Sequence, residues 1–252
     1  ERAADGAEAA AGADCTVLPL PVSVKKGYLN APLSPEARCL GEVFGALPPG
    51  ALVCAGMPSG EVRALAGAAG VRLRDYYARE ELLARNAVAT AEGALGVLLR
   101  ETDRTLWGRR ILIVGWGRIG RALAPRLRAL GAEVAVSARR AGDLAWIEAG
   151  GARPLDTRSL EGNLSGFDLV VNTVPALVLG MSRLAELPPG ALVLDLASRP
   201  GGVDREAAQV LGIRALWEQG LPGRWAPETA ADAVREAVYH ILEEEQEHET
   251  GT

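Results

Sequence analysis

Three glycines whose spacing suits phosphate binding form the most informative motif of the chain, Gly115-Trp116-Gly117-Arg118-Ile119-Gly120. The first glycine of such a motif permits a tight turn, the second lets the backbone approach a pyrophosphate, and the third lets a helix pack on a sheet. Unpaired N–H groups and the positive dipole at the helix start then face the anion. The motif predicts a dinucleotide-binding turn, with a purely structural glycine-rich turn as the alternative.

The residues on either side of this turn have the periodicity of a strand and of a helix. The continuous apolar run 111–114 is typical of a buried parallel strand. After the turn, apolar residues recur at helical spacing from Ala122 to Leu130, and Gly131 is a natural helix end. This context favours the dinucleotide interpretation.

The end of the next strand indicates which dinucleotide binds. The run 133–136 predicts a strand, and Ser137, Ala138, Arg139 and Arg140 follow it. Sites that prefer NAD place a carboxylate about 20 residues after the first glycine, where it accepts hydrogen bonds from the ribose 2′-OH. This chain has a hydroxyl and two guanidinium groups instead, which suit a 2′-phosphate. We therefore predict NADP(H), bound by Ser137, Arg139 and Arg140; if the two arginines are only a solvated helix entry, NAD remains open.

Composition limits the class of protein. The chain has 252 residues, 48% of them hydrophobic, and a net charge of −5, which argues against a nucleic-acid partner. We expect no membrane span and no signal peptide, and hence a cytoplasmic protein. Cys15, Cys39 and Cys54 fit neither a disulfide framework nor a zinc site, so we expect small core residues and no metal. His240 and His248, in a Glu-rich stretch near the C-terminus, make histidine catalysis unexpected.

The apolar periodicity predicts an α/β fold with two doubly wound parallel-sheet domains. Strands at 15–20, 51–55 and 71–74 alternate with helices at 35–46 and 59–68, and a long helix follows at 79–103. Further strands are predicted at 152–154, 169–171, 192–194 and 213–216, and a last helix begins at Pro227. We divide the chain into a disordered tail (1–14), an N-terminal substrate or partner domain with the linker helix (15–98), a Rossmann domain (99–226) and a C-terminal helix packing back on the N-terminal domain (227–252).

Three segments that follow predicted strands of the Rossmann domain carry small residues and isolated polar ones. They are Asn172-Thr173-Val174-Pro175, Asp195-Leu196-Ala197-Ser198-Arg199-Pro200-Gly201-Gly202 and Gly220-Leu221-Pro222-Gly223. In doubly wound sheets ligands bind beyond the carboxyl ends of the strands. Each segment alone is compatible with an ordinary turn, but together they predict a site for a nicotinamide ribose and an anionic substrate.

These segments, together with Asn86 to Gly93 and Pro21-Val22-Ser23, closely resemble the family formed by the A subunit of dipicolinate synthase. The resemblance extends from Val17 onward. It implies the formation of dipicolinate, the pyridine dicarboxylate of bacterial endospores, from dihydrodipicolinate on the lysine branch. It also implies the flavoprotein-like B subunit of dipicolinate synthase as partner.

The chain departs from that family at its start. Family members usually open with a strand and a Gly-Gly-Asp turn, which this sequence does not contain. Either the first domain lacks a βα unit or the chain is a truncated form, and in both cases we expect a smaller, N-terminally incomplete flavodoxin-like first domain. A more distant likeness, to the D-2-hydroxyacid dehydrogenases, places a substrate-binding arginine where Arg199 stands. Those enzymes need a glutamate–histidine pair, and after Glu218 the later segment from Ala226 to Thr229 has no histidine, which disfavours a carbonyl reductase of that type.

The resemblance and the strand ends together suggest roles for individual residues. We predict that Arg199 clamps a substrate carboxylate, with Ser23, Asn86, Thr90 and Ser198 as further substrate contacts, and that Glu92 or Asp195 is the base. Asn86 and Thr90 are equally compatible with bracing the helix, and Glu92 with a solvated helix position. The predicted cofactor contacts are Gly115, Gly117, Arg118, Ile119, Gly120, Ser137, Arg139, Arg140, Asn172, Thr173, Val174, Pro175, Ala197, Gly220, Leu221 and Pro222. A non-catalytic NADP(H)-binding scaffold subunit remains the alternative, and a homodimer is compatible with the sequence.

Overall fold

The structure is a computed structural model that describes residue 9 and residues 13–250, with side chains as far as His248. Most of the predicted tail, residues 1–14, lies outside the described residues. Contacts divide the chain into two compact units. Unit 1 contains the chain up to Leu83 together with Ala231 onward, and unit 2 contains Ala84–Ala230.

Unit 1 is built on a small parallel sheet with the order β1-β2-β3. Its strands are β1 (Thr16–Val17), β2 (Leu52–Ala55) and β3 (Arg72–Asp75), with helices α1 (Leu40–Gly45) and α2 (Gly60–Ala68) between them. All four residues of β2 are buried, which explains its continuous apolar sequence. The Ser59 hydroxyl accepts a hydrogen bond from the Val62 N–H and caps α2.

Two elements of unit 1 are shorter than predicted. Helix α1 begins at Leu40 instead of 35, because the preceding backbone pairs elsewhere: Tyr28 and Cys39 form an antiparallel bridge, and the Leu29 N–H donates to the Arg38 carbonyl. Strand β1 ends at Val17; beyond it the Leu18 N–H donates to the Cys54 carbonyl, and the Pro19 carbonyl accepts from the Gly56 N–H at 3.4 Å. Pro19 has no N–H to continue the ladder.

The last helix, α9 (Pro227–Thr250), contributes its residues from Ala231 onward to unit 1. Its apolar face, including Ala237 and Ile241, joins Cys54, Tyr76 and Leu82 in one buried cluster. The Tyr76 hydroxyl donates to the Leu18 carbonyl at 2.9 Å, and burial raises the pKa of Tyr76 to about 12. The helix is therefore an integral part of the core of unit 1.

Carboxylates near the end of α9 pair with arginines of unit 1. Glu245 bridges Arg72 and Arg74 at 2.9 and 2.6 Å, and Glu244 pairs with Arg79 at 2.6 Å. Of the three cysteines, Cys54 is buried, whereas Cys15 and Cys39 are half-buried. The expectation of small core residues therefore holds fully only for Cys54.

Unit 2 contains a six-stranded parallel sheet with the order β6-β5-β4-β7-β8-β9. The strands are β4 (Arg110–Val114), β5 (Glu133–Ala138), β6 (Arg153–Asp156), β7 (Leu169–Asn172), β8 (Leu192–Asp195) and β9 (Arg214–Trp217). The helices are α3 (Glu80–Glu101), α4 (Arg118–Ala129), α5 (Ala141–Ala149), α6 (Met181–Leu184), α7 (Arg205–Val210) and α8 (Leu221–Trp225). The strand order reverses on either side of β4, as in doubly wound sheets.

Both faces of the central strands of this sheet are buried, which explains why β4, β7 and β8 have continuous apolar runs. Ile111 and Ile113 of β4 pack in one core cluster, and Leu112 and Val114 pack in another. Successive residues of a strand point to opposite faces, so each face of β4 contributes to its own core. The predicted α/β fold is confirmed.

Helix α3 differs from the prediction in two respects. The chain divides between Leu83 and Ala84, not after residue 98, because Ala91, Val97 and Leu98 pack in a core cluster of unit 2. We also expected no segment capable of spanning a membrane, whereas among the described residues α3 is long and apolar enough by length and composition. A core helix passes the same test, and the packing of α3 in unit 2 is that of a core helix.

Candidate functional site

The glycine motif forms the turn between β4 and α4, and each glycine has its own steric reason. Gly115 has a φ of 106°, and a Cβ there would lie 2.5 Å from the Thr173 hydroxyl oxygen. A Cβ at Gly120 would lie 2.2 Å from the Gly115 carbonyl oxygen. At Gly117, by contrast, a Cβ would meet no atom within 4 Å. The first and third glycines thus allow the turn to pack, while the second leaves open space next to the helix start.

This open space lies at the start of a helix, a place that suits an anion. Gly117 is the N-cap of α4, so the first N–H groups of a twelve-residue helix begin beside it. Arg118 is exposed, whereas Ile119 is half-buried and packs against the core of unit 2. Of these two predicted contacts, Ile119 therefore serves the helix packing and Arg118 lies at the surface.

The residues after β5 are divided between the core and the surface. Ser137 is fully buried, and its hydroxyl accepts a hydrogen bond from the Thr157 hydroxyl at 3.1 Å. Arg139 and Arg140 are exposed, and neither side chain has a hydrogen-bond or ion-pair partner among the residues that the structure describes. The prediction that the Ser137 side chain binds a phosphate is therefore contradicted, because this side chain is fully buried and bonded to Thr157.

Two buried polar side chains join the carboxyl ends of β7 and β8. The Asn172 amide donates to Asp195 Oδ1 at 2.7 Å and to the Val174 carbonyl at 3.0 Å, and its oxygen accepts from the Val174 N–H. Asp195 also accepts from the backbone N–H groups of Ala197, at 3.0 Å, and of Gly202, at 2.9 Å. We call this pair the strand-end clasp. It fixes the start of the segment after β7 and both ends of the loop after β8.

The clasp changes the interpretation of Asp195. Its carboxylate is 3% exposed and already accepts three hydrogen bonds, so it does not have the accessibility of a general base. The prediction of a catalytic Asp195 is therefore replaced by a structural one. Asn172 is likewise fully buried, and its amide group is occupied by Asp195 and Val174.

The remaining residues after β7 and before α8 have backbone roles or face solvent. The Thr173 hydroxyl donates to the Val114 carbonyl at 2.9 Å, Val174 is half-buried and Pro175 is exposed. Gly220 adopts a left-handed conformation with a φ of 65° and precedes α8. In α8, Leu221 is buried beside Gly93 of α3, while Pro222 is half-buried.

The loop after β8 presents the predicted substrate contacts. Ala197 is buried, whereas Ser198 and Arg199 are exposed, and neither exposed side chain has a hydrogen-bond or ion-pair partner within the described part of the chain. Trp217, at the end of β9, donates its indole N–H to the Ala197 carbonyl at 2.8 Å. The sequence analysis missed Trp217; the one available signal was its position at the end of a predicted strand, beside the other strand ends.

The other predicted substrate residues are not brought to this edge by any described contact. The Thr90 hydroxyl donates to the Asn86 carbonyl within α3, at 2.7 Å. The Glu92 side chain is 61% exposed and pairs with Arg126 at 3.3 Å. Ser23 belongs to unit 1, where its hydroxyl donates to the Lys25 carbonyl. Thr90 therefore braces its helix, and Glu92 occupies a solvated ion pair.

Two family models match successive parts of the chain. A family model described as the N-terminal domain of the dipicolinate synthase A subunit matches residues 1–77. A second, described as the NAD binding domain of D-isomer specific 2-hydroxyacid dehydrogenases, matches residues 83–211. The second match supports a nicotinamide dinucleotide as the cofactor class.

Individual relatives match over nearly the whole chain. The dipicolinate synthase A subunit of Bacillus subtilis (strain 168) is 32% identical over 237 residues, which are 94% of this chain and 80% of the relative. The crystal structure of the Bacillus halodurans protein of the same name is 33% identical with a TM-score of 0.85, and covers 91% of this chain and 79% of the other. The Bacillus subtilis crystal structure gives a TM-score of 0.86 at 32% identity, over 93% and 79% of the two chains. These relatives, and the family model that matches the first 77 residues, establish that the chain belongs to the dipicolinate synthase A-subunit family.

Proposed function

We propose that this chain oxidises dihydrodipicolinate to dipicolinate with NADP⁺, as one of the subunits of a dipicolinate synthase. Membership of the A-subunit family supports the reaction, and the dehydrogenase-type domain supports a nicotinamide cofactor. The flavoprotein-like B subunit is the proposed partner, and the proposed setting is the cytoplasm of a sporulating cell. The observation that carries the proposal is Arg199 on the loop after β8, at the same sheet edge as the glycine turn: its side chain is exposed and has no partner among the described residues.

The residues of unit 2 fit an adenine dinucleotide with a 2′-phosphate. The open space at Gly117 and the start of α4 would hold the pyrophosphate. Arg139 and Arg140 follow β5, the strand next to β4, and would hold the 2′-phosphate through charge-assisted hydrogen bonds. When bound, the cofactor supplies the hydride acceptor.

Arg199 is the proposed substrate clamp. A guanidinium group can donate two parallel hydrogen bonds to one carboxylate, which fixes the ring in both position and orientation. Oxidation to the pyridine removes a hydride and a proton from the dihydropyridine ring, and aromatisation favours that direction. The chemical demand on the protein is therefore chiefly positioning.

The proton needs an acceptor other than Asp195, whose oxygens are occupied. Glu92 remains the proposed carboxylate because its side chain is accessible. Within the described residues it pairs only with Arg126, through the oxygen Oε1. If Glu92→Gln leaves the pH profile of kcat unchanged, the proton passes to water and Glu92 has no part in the chemistry.

The direct test follows absorbance at 340 nm with the purified chain, NADP⁺ or NAD⁺, and enzymatically generated dihydrodipicolinate. We expect NADPH formation with release of dipicolinate, and a lower KM for NADP⁺ than for NAD⁺. The assay is repeated with the B subunit added. Turnover by the chain alone eliminates the scaffold alternative, whereas turnover only in the presence of the B subunit, with binding of NADP⁺ by this chain, would favour it.

The variant Arg199→Ala tests the clamp separately from cofactor binding. The variant should raise the KM for dihydrodipicolinate by about tenfold to a hundredfold, as expected for losing hydrogen bonds to a charged group, with the Kd of NADP⁺ nearly unchanged. Arg153→Ala is the matched control, because Arg153 begins β6 at the opposite edge of the same sheet. A normal KM in Arg199→Ala would reject the clamp.

A further inference from the structure

The loop between Ala197 and Gly202 is hydrogen-bonded chiefly at its two ends, while Ser198 and Arg199 between them are exposed. Asp195 accepts the N–H groups of Ala197 and Gly202, and the Gly201 N–H donates to the Ser198 carbonyl at 2.8 Å. The Gly202 carbonyl accepts from the N–H groups of Val178 and Leu179 at 3.0 and 2.9 Å. These hydrogen bonds hold both ends of the loop that carries the exposed Arg199.

One further bond comes from a side chain on the neighbouring strand. Trp217 ends β9, directly opposite Asp195 in the strand register, and its indole N–H donates to the Ala197 carbonyl at 2.8 Å. Gln219 reaches the same carbonyl only at 3.5 Å. Trp217 is therefore the main hydrogen-bond donor to the Ala197 carbonyl.

The Trp217 ring is itself fixed on two sides. The guanidinium of Arg205, in α7 just after the loop, lies over the ring at 4.6 Å from its centroid. On another side, a Cβ added to Gly201 would lie 3.5 Å from two ring carbons, so the ring packs against the glycine turn that closes the loop. Trp217 is half-buried, its N–H is hydrogen-bonded, and its ring contacts both Arg205 and Gly201. The ring therefore has little freedom to move.

From this arrangement we propose that Trp217 is a positioning residue for Arg199. Its indole holds the Ala197–Gly202 loop in one conformation, so that the Arg199 guanidinium is oriented before a substrate carboxylate arrives. The inference rests on the proposed role of Arg199 as a carboxylate clamp. Because ordering a loop on binding costs affinity, a loop ordered in advance favours tighter binding of the anion.

The first experiment measures the loop without substrate or cofactor. Trp217→Phe loses the N–H donor together with part of the ring, whereas a variant carrying 3-benzothienylalanine at position 217 loses only the N–H donor. We expect the backbone N–H groups of Ala197, Gly201 and Gly202 to exchange with deuterium about three- to tenfold faster in both variants. The isosteric benzothienyl ring separates loss of the hydrogen bond from loss of packing. Trp146→Phe, at a 70% exposed position on α5, is the control and should leave these amides unchanged.

The second experiment measures binding in the same variants. The KM for dihydrodipicolinate should rise about three- to tenfold, while kcat and the Kd of NADP⁺ change by less than about twofold. Unchanged amide exchange, or faster exchange with an unchanged KM, would overturn the positioning role. Failure of the clamp itself is recognised separately, because Arg199→Ala would then also leave the KM unchanged.

Discussion

Asp195 shows how burial determines what a carboxylate can do. At the end of a strand in a ligand-binding sheet it has the position of a catalytic acid or base, but each of its oxygens is bound to backbone or to Asn172. Its bonds to Ala197 and Gly202 span the whole loop that carries Arg199. Asp195 thus has a structural role, and its loss would alter substrate binding through the position of the loop.

Asp195→Asn tests that role. The new amide keeps one oxygen, which can still accept from Asn172 and Ala197. Its NH₂ group would then face the Gly202 N–H, so the buried Gly202 donor would lose its acceptor. We expect a loss of about 1–3 kcal/mol in the free energy of unfolding, measured in urea, and a raised substrate KM. Asp103→Asn, at an exposed position, is the matched control. A variant as stable as the wild type would show that the clasp does not hold the loop.

Arg139 and Arg140 allow the cofactor preference to be tested directly. Replacing both with Ala should raise the Kd of NADP⁺ by about tenfold to a hundredfold and leave that of NAD⁺ within about twofold, because only NADP⁺ carries the 2′-phosphate. Isothermal titration calorimetry with each nucleotide measures both constants, with Arg153→Ala as control. Equal losses for the two nucleotides would mean that the arginines do not recognise the 2′-phosphate.

At the scale of elements, the contact between α3 and α8 explains two glycines in an otherwise good helix sequence. Leu221 lies against Gly93, and the Trp225 ring lies so close to Gly96 that a Cβ there would be 2.1 Å from it. These contacts hold α8, which begins directly after the left-handed Gly220. The packing thereby fixes one of the three segments at the candidate site.

Gly96→Ala should therefore destabilise unit 2, although alanine has the higher helix propensity. We expect a loss of about 1–3 kcal/mol from overpacking, seen as a lower Tm in calorimetry. Gly142→Ala, in α5 where a Cβ would meet no atom within 4 Å, should be neutral or stabilising. Combining Gly96→Ala with Trp225→Ala should cost less than the sum of the single changes; simple additivity would contradict the contact.

The elements most readily predicted from sequence were those with a single periodicity. The buried strands β4 and β7 and the glycine turn could be predicted because their apolar runs and steric needs are local. The start of α1 could not, because residues 38 and 39 pair with residues 28 and 29, a choice made by tertiary contacts. The burial of Ser137 and Asp195 could not be predicted either. Their place at strand ends follows from the sequence, but how deeply they are buried depends on the packing around them.

For the whole molecule, an ion cluster connects α9 to the start of α3 within unit 1. Arg79 donates to Glu81 at 2.9 Å and pairs with Glu244, and His240 Nδ1 lies 3.4 Å from Glu81. The hydrogen bond from Arg79 lowers the pKa of Glu81 to about 2, and the same guanidinium lowers the pKa of Glu244. Both carboxyl groups thus hold their charge more strongly in the folded state.

The sign of the resulting pH dependence follows from these lowered pKa values. The stabilisation is present in full above the unfolded pKa, about 4.5 for Glu, and is lost as the pH falls towards about 2. The Tm should therefore fall across this range, and less steeply in Arg79→Met. Arg235→Met, which removes only an exposed pair with Asp232 on α9, should leave the slope unchanged. Parallel curves for wild type and Arg79→Met would contradict the assignment; the effect is small because the groups are largely exposed.

The division of unit 1 between the two ends of the chain has a consequence for its synthesis. Until the ribosome has made the residues after Ala231, the apolar surface around Cys54, Tyr76 and Leu82 has no helix to cover it, whereas every residue of unit 2 has already been made. Unit 2 can therefore fold first, whereas unit 1 must wait until the residues of α9 after Ala231 have been made.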